Sequence, residues 1–197
     1  NNGDVSGNHG GIDWWVVKTD VLGNIQWQKT LGGSADDIAY HVIQTTDGGF
    51  VAAGETESNG KMYIVKLNSA NQLQWSRTIG GVGIALSVVQ TTDGGYAVSG
   101  FGIISGGSVA GPLIVKLTQE GAVEWVRLLI DGFGGAAYSI VQTLDGGYAA
   151  VVSNPDGGGT YSMIIVKLNN MGIIQWSKNI GSVSYVRCIK QTTEGGY

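Results

Sequence analysis

Gln44–Phe50, QTTDGGF, returns as Gln90–Tyr96 (QTTDGGY), Gln142–Tyr148 (QTLDGGY) and Gln191–Tyr197 (QTTEGGY). A repeat at this interval decides the architecture before any single residue does. Each copy closes one apolar run and opens another, and its acidic-Gly-Gly core supplies the positive φ that a tight hairpin turn requires. The motif predicts a hairpin corner, made four times.

Ahead of each corner stands an apolar run: IAYHVIQT from Ile38, IALSVVQT from Ile84, AAYSIVQT from Ala136 and YVRCIKQT from Tyr185. Near-continuous apolarity predicts a strand buried on both faces. Ala39, Ala85, Ala137 and Val186 share one position in it, so this strand is expected innermost, where crowding favours small side chains. After the corner come FVAAGET, YAVSGFG and YAAVVSN, with no counterpart in the fourth copy. Two further strands complete the unit. One carries Lys18, Lys66, Lys116 and Lys167, at intervals of 48, 50 and 51 residues; the other carries Trp27, Trp75, Trp125 and Trp176, spaced identically. Residues two apart in a strand share a face, so each Trp lies beside Lys29, Arg77, Arg127 or Lys178, with the base expected along the indole.

Four short strands per repeat, joined by tight connections, leave no room for crossover helices. They predict an all-β chain of four-stranded antiparallel meanders, and radial stacking of such units gives a β-propeller. The repeats fall near 13–56, 61–102, 112–153 and 162–197, within a single domain, the last incomplete. The opening NNGDVSGNHGG reads as the middle of a loop, and we expect a segment of a larger propeller.

IVKLN, QW, GG, QTTDGGY and VAAG in that order resemble the β-propeller repeats of the SBBP type, found in secreted and surface proteins of bacteria and archaea. The likeness covers nearly the whole chain. It implies a propeller in an extracellular or cell-surface setting, without a single activity attached. The VKLN-to-Trp segment is similar, more distantly, to the repeat of PQQ-type quinoproteins. By analogy with WD-type propellers, the chain would begin with two outer strands, build three whole blades and end on an inner strand. The intact protein would hold about seven or eight blades.

With 43% hydrophobic and 13% charged residues the 197-residue chain can bury a substantial core. A net charge of −4 and dispersed Lys and Arg argue against nucleic-acid partners. No apolar run is long enough to insert as a membrane helix. Cys188 is the single cysteine, which excludes an intrachain disulfide and predicts a small buried apolar residue.

Several residues are candidates for chemistry. Asn2, Asp4, Ser6, Asn8 and Asp13 place oxygen donors around Gly7 with spacing like that of a calcium loop, though an ordinary Asn/Gly turn accounts for the same residues. Asp36 and Asp37 form a carboxylate pair or cap a loop. His41 occupies the position of Ser87, Ser139 and Cys188 and either faces a central channel or is structural. The Trp series is expected to pack repeat against repeat, whereas Trp14 and Trp15, being Met62 and Tyr63 in the next copy, are candidates for a binding surface. No catalytic constellation emerges. The function expected is a non-enzymatic scaffold that binds protein or glycan through variable loops at 1–12, 101–111 and 153–161. Self-assembly into a homo-oligomer through open strand edges and a quinoprotein-like or glycan-active enzyme are the alternatives.

Overall fold

The computed structural model describes residues 7, 9–56, 60–104, 109–130, 134–155, 160–183 and 186–197. Its regular structure is entirely β. Strands β1 (Trp14–Thr19) and β2 (Ile25–Leu31) form a two-stranded sheet I. Three four-stranded antiparallel meanders follow. Sheet II holds β3 (Asp37–Gln44), β4 (Phe50–Thr56), β5 (Lys61–Leu67) and β6 (Leu73–Ile79). Sheet III holds β7 (Gly83–Gln90), β8 (Tyr96–Ile103), β9 (Ala110–Leu117) and β10 (Val123–Leu128). Sheet IV holds β11 (Ala136–Gln142), β12 (Tyr148–Pro155), β13 (Tyr161–Leu168) and β14 (Ile174–Val183).

The sheets stack in chain order, and the apolar clusters lie between them. Trp14, Leu31, Ala52, Val65 and Leu67 fill the seam between I and II. Val51, Ile64, Val88, Val98 and Val115 fill that between II and III, and Ala97, Ile114, Ile140, Ala150 and Val166 that between III and IV. Strand β7 packs on β3 and β4, and β11 on β7 and β8, so β3, β7 and β11 line one side of the stack. Each bulges once, between Ala39 and His41, Ala85 and Ser87, Ala137 and Ser139.

Burial of the inner strands is graded. Ala85 and Ala137 are fully buried, as expected, but Ala39 is exposed, with Tyr40 and Val42 beside it. Among the described residues sheet I consists of β1 and β2 alone, without an inner strand to cover β3. The Gly-rich stretches also differ from expectation. Ile103 pairs with Ala110, and Pro155 with Tyr161, so the strands run on into segments read as loop, and the connections shorten to 104–109 and 156–160. Residues 186–191 stand where a fourth inner strand is expected: Val186 and Ile189 are buried against Ala149 and Val151. Among the described residues no strand pairs with them. Cys188 is consequently exposed rather than buried.

The repeated motif divides its work between two sites. Within a sheet, the corner closes through Thr45 N donating to Gly49 O (2.9 Å) and Gly48 N to Thr45 O (2.9 Å). Gly48 takes φ 78°, which glycine adopts without steric cost. Gly49 is required for a different reason, since a Cβ there would lie 2.2 Å from Leu67 O and 2.4 Å from Lys66 Nζ. Lys66, 2% exposed, donates to Asp47 Oδ2 (2.8 Å) and Leu67 O (2.9 Å). Lys116–Asp93 and Lys167–Asp145 repeat the pair at 2.8 Å.

Between sheets, the Gln of one repeat caps the corner before it. Gln90, Gln142 and Gln191 each accept, through Oε1, the N–H of Thr46, Thr92 or Leu144 at 2.8 Å. The Trp series packs across the same seams, as expected: Trp27 on Phe50, Trp75 on Tyr96, Trp125 on Tyr148 and Trp176 on Tyr197, with centroids 5.2–5.8 Å apart. The neighbouring bases reach further, to the β-turn of the next sheet. Lys29 donates to Asn71 O (3.1 Å), Arg77 to Gly121 O (3.1 Å) and Arg127 to Gly172 O (2.8 Å). Arg77 also lies over its indole, 5.9 Å from the centroid.

Candidate functional site

Antiparallel alternation sorts the connections onto two ends of the stack. The acidic-Gly-Gly corners share one end with the turns Asp20–Asn24, Asn68–Gln72, Thr118–Ala122 and Asn169–Ile173. The connections 32–36 and 80–82, the strand ends Thr56, Ile103, Leu128 and Pro155, and residues 9–13 entering β1 lie at the other. The corner end spends its polar groups internally. Bonding to Lys66 and Thr45 holds the Asp47 carboxyl at about 2. Asp93 is also held at about 2: burial pushes it up, but the bonds from Lys116 and Thr91 outweigh burial. Burial pushes the Tyr96 and Tyr148 hydroxyls up to about 12.

The loop end gathers Asp13, Asp36 and Asp37 where sheet I meets sheet II. Residues 9–13 run beside the 32–37 turn, tied by Asp37 N donating to Ile12 O (2.5 Å). The same backbone tie joins Gly83 N to Gly60 O (2.7 Å) one sheet on. Side chains are added to it here. Asp36 Oδ1 accepts the Ile12 N–H (2.7 Å), Asp37 Oδ2 the Gly33 N–H (2.7 Å) and Asp13 Oδ2 the His9 N–H (2.5 Å). His9 Nδ1 stands 3.7 Å from Asp13 Oδ2 on an exposed side chain. Asp36 and Asp37 therefore cap separate backbone groups. Asp37 shares the Gly32 junction with Asp13: a Cβ on Gly32 would lie 2.1 Å from Asp13 Oδ1 and 2.8 Å from Asp37 Oδ2.

Trp14 is 1% exposed, tilted against Tyr63 at 5.1 Å, with Nε1 on Glu55 O at 3.4 Å; it is a seam residue, not a surface one. Trp15 is 47% exposed and bonds Gln28 Oε1 at 3.0 Å. Its counterparts Tyr63, Leu113 and Ile164 all pack into the seam in front of their own sheet, so its exposure marks an uncovered stacking face. His41 Nδ1 accepts the Val88 N–H at 3.1 Å and joins β3 to β7, as Ser139 Oγ joins β11 to Ile189 N at 3.3 Å. Burial lowers the His41 pKa below 6.5.

Asn2, Asp4, Ser6 and Asn8 lie outside the described residues, which leaves Asp13 as the described member of that ladder. Among the described residues no group of three or more His, Cys, Asp or Glu side chains is arranged to hold a metal. Two features escaped sequence reading. Tyr40 Oη donates to Glu55 Oε1 at 2.6 Å on the exposed inner side. An apolar hollow of about 220 Å³, lined by Ile79, Val82, Ile103, Leu113 and Val126, opens between sheets II and III. Neither has a linear signal, because each depends on residues brought together from different strands. No family model matches the chain, and no curated protein matches it in sequence.

Proposed function

We propose that the chain is a segment of an extracellular or cell-surface β-propeller that acts as a non-enzymatic scaffold, binding protein or glycan through its loop end. The supporting observation is the contrast between the two ends. Corner polar groups are paired within the stack, whereas the loop end carries the unequal connections, the Asp13, Asp36 and Asp37 junction and the apolar hollow. A fold alone fixes no function, and the reading rests on where free chemistry remains. The test is a screen on arrayed glycans and secreted proteins with the parent and with variants whose 104–109 and 156–160 connections are exchanged. Binding that follows the loops supports the assignment; variants that match the parent toward every ligand overturn it.

Radial continuation of the stack is part of the same proposal. Gly121 and Gly172 lie so close to Trp75 and Trp125 that a Cβ would sit 2.8 and 3.0 Å from the rings, while Gly23, at the same turn position in sheet I, has nothing within 4 Å. Trp176, conversely, is 42% exposed. A turn without its Trp and a Trp without its turn fit a further repeat of this design. Supplied by a second copy, that repeat would make the protein self-assembling. Light scattering distinguishes the cases: a monodisperse monomer at high concentration excludes assembly.

A further inference from the structure

We propose that Asp13 and Asp37 bind a calcium ion at the loop-end junction of sheets I and II. Asp37 is 1% exposed, and the Asp13 side chain is 2% exposed. One oxygen of each accepts a backbone N–H, and the remaining oxygens, Asp13 Oδ1 and Asp37 Oδ1, have no hydrogen-bond partner. Among the described residues no lysine or arginine pairs with either carboxylate, and the basic group beside them is the exposed His9, with Nδ1 3.7 Å from Asp13 Oδ2. Buried carboxylates at close range require a counter-ion or a proton to coexist.

The repeats themselves show that the pair is an addition. Asp37 occupies the position of Gly83 and Gly135, and Asp13 that of Lys61, Gly111 and Ser162. The backbone tie that the junction needs is made at Gly83 without any side chain. Packing therefore does not call for a carboxylate at 37, and placing one in a buried seam carries a desolvation cost that a bound cation offsets. The donors are all oxygen, from two separate backbone segments. Zinc favours nitrogen and sulfur ligands, and magnesium demands near-ideal octahedral geometry. Calcium accepts irregular carboxylate and carbonyl shells, and in extracellular modules binds at roughly 10⁻⁴–10⁻³ M.

Chelator-treated protein is titrated with calcium chloride, following both heat of binding and thermal unfolding. The parent is expected to bind in the millimolar range or tighter and to melt at higher temperature with calcium. Asp13→Asn and Asp37→Gly are each expected to lose affinity more than about tenfold, the scale set by even an outer-shell partner. Asp37→Gly restores the residue found at 83 and 135, so its circular dichroism should match the parent. Terbium emission sensitised through Trp14, adjacent in sequence to Asp13, provides an independent readout. Absence of any calcium response in the parent overturns the proposal, as does a response that survives in both variants. Stability that rises on acidification but ignores calcium identifies a shared proton instead, and also overturns it.

Discussion

The two ends of the stack are built from the same strands, yet one is regular and the other is not. At the corner end the Lys–Asp contact is 2.8 Å in all three complete sheets, and the Gln cap on each of their corners is likewise 2.8 Å. At the loop end, the junction of sheets I and II carries Asp13, Asp36 and Asp37, and its counterpart one sheet on carries Lys61, Val82 and Gly83 in their places. The difference teaches that repetition here marks structure, and that departure from the repeat marks the place to look for chemistry.

The sharpest way to break that division is to damage a corner. Gly95→Ala places a Cβ 2.3 Å from Leu117 O and is expected to destabilise by about 3 kcal/mol or more, measured by urea unfolding. Lys116→Met removes a buried cation and leaves the Leu117 carbonyl without its 3.1 Å donor. The expected loss is about 2 kcal/mol, read from the same transition. Acid sharpens the comparison further. The folded-state pKa values of Asp47 and Asp93 lie at about 2, below the ordinary 3.8. Their contribution is complete above pH 3.8 and is lost as pH falls through 2. Lys116→Met should remove the Asp93 share of this acid limb and leave that of Asp47, which Lys66 holds, measured as melting temperature against pH. His41 gives a smaller effect of the same sign nearer neutrality: its folded pKa lies below 6.5, so its contribution is present above that value and fades as pH drops. His41→Gln should remove the step. Smallest of all, Val82→Ser at the loop end, 59% exposed, is expected to change stability by under about 0.5 kcal/mol.

Much of the fold was legible in the sequence because one-dimensional spacing encodes it. The intervals between Lys18, Lys66, Lys116 and Lys167 set the repeat, and the antiparallel meanders follow from period and turn chemistry. The seam role of the Trp series was legible for the same reason, since a residue needed at every seam recurs. Gln90 was legible as a motif member but not as a cap, because its acceptor reaches a corner 44 residues earlier. The loop-end site was only partly visible. Asp36 and Asp37 attracted notice as neighbours, but the meaningful neighbour of Asp37 is Asp13, brought close by the approach of two backbone segments at Gly32. Trp14 and Trp15 looked equivalent on paper; strand alternation sends one into the seam and the other to the uncovered face.

The Gln caps also impose an order in time. Thr46 donates to Gln90, Thr92 to Gln142 and Leu144 to Gln191, so each corner is finished by a residue that belongs to the following repeat. On a ribosome adding about 5–20 residues per second, the corner at Thr46 waits roughly two to nine seconds for its cap. Each of these three corners thus emerges with an unsatisfied amide that the next repeat must find, which gives the growing chain a reason to add its sheets in sequence.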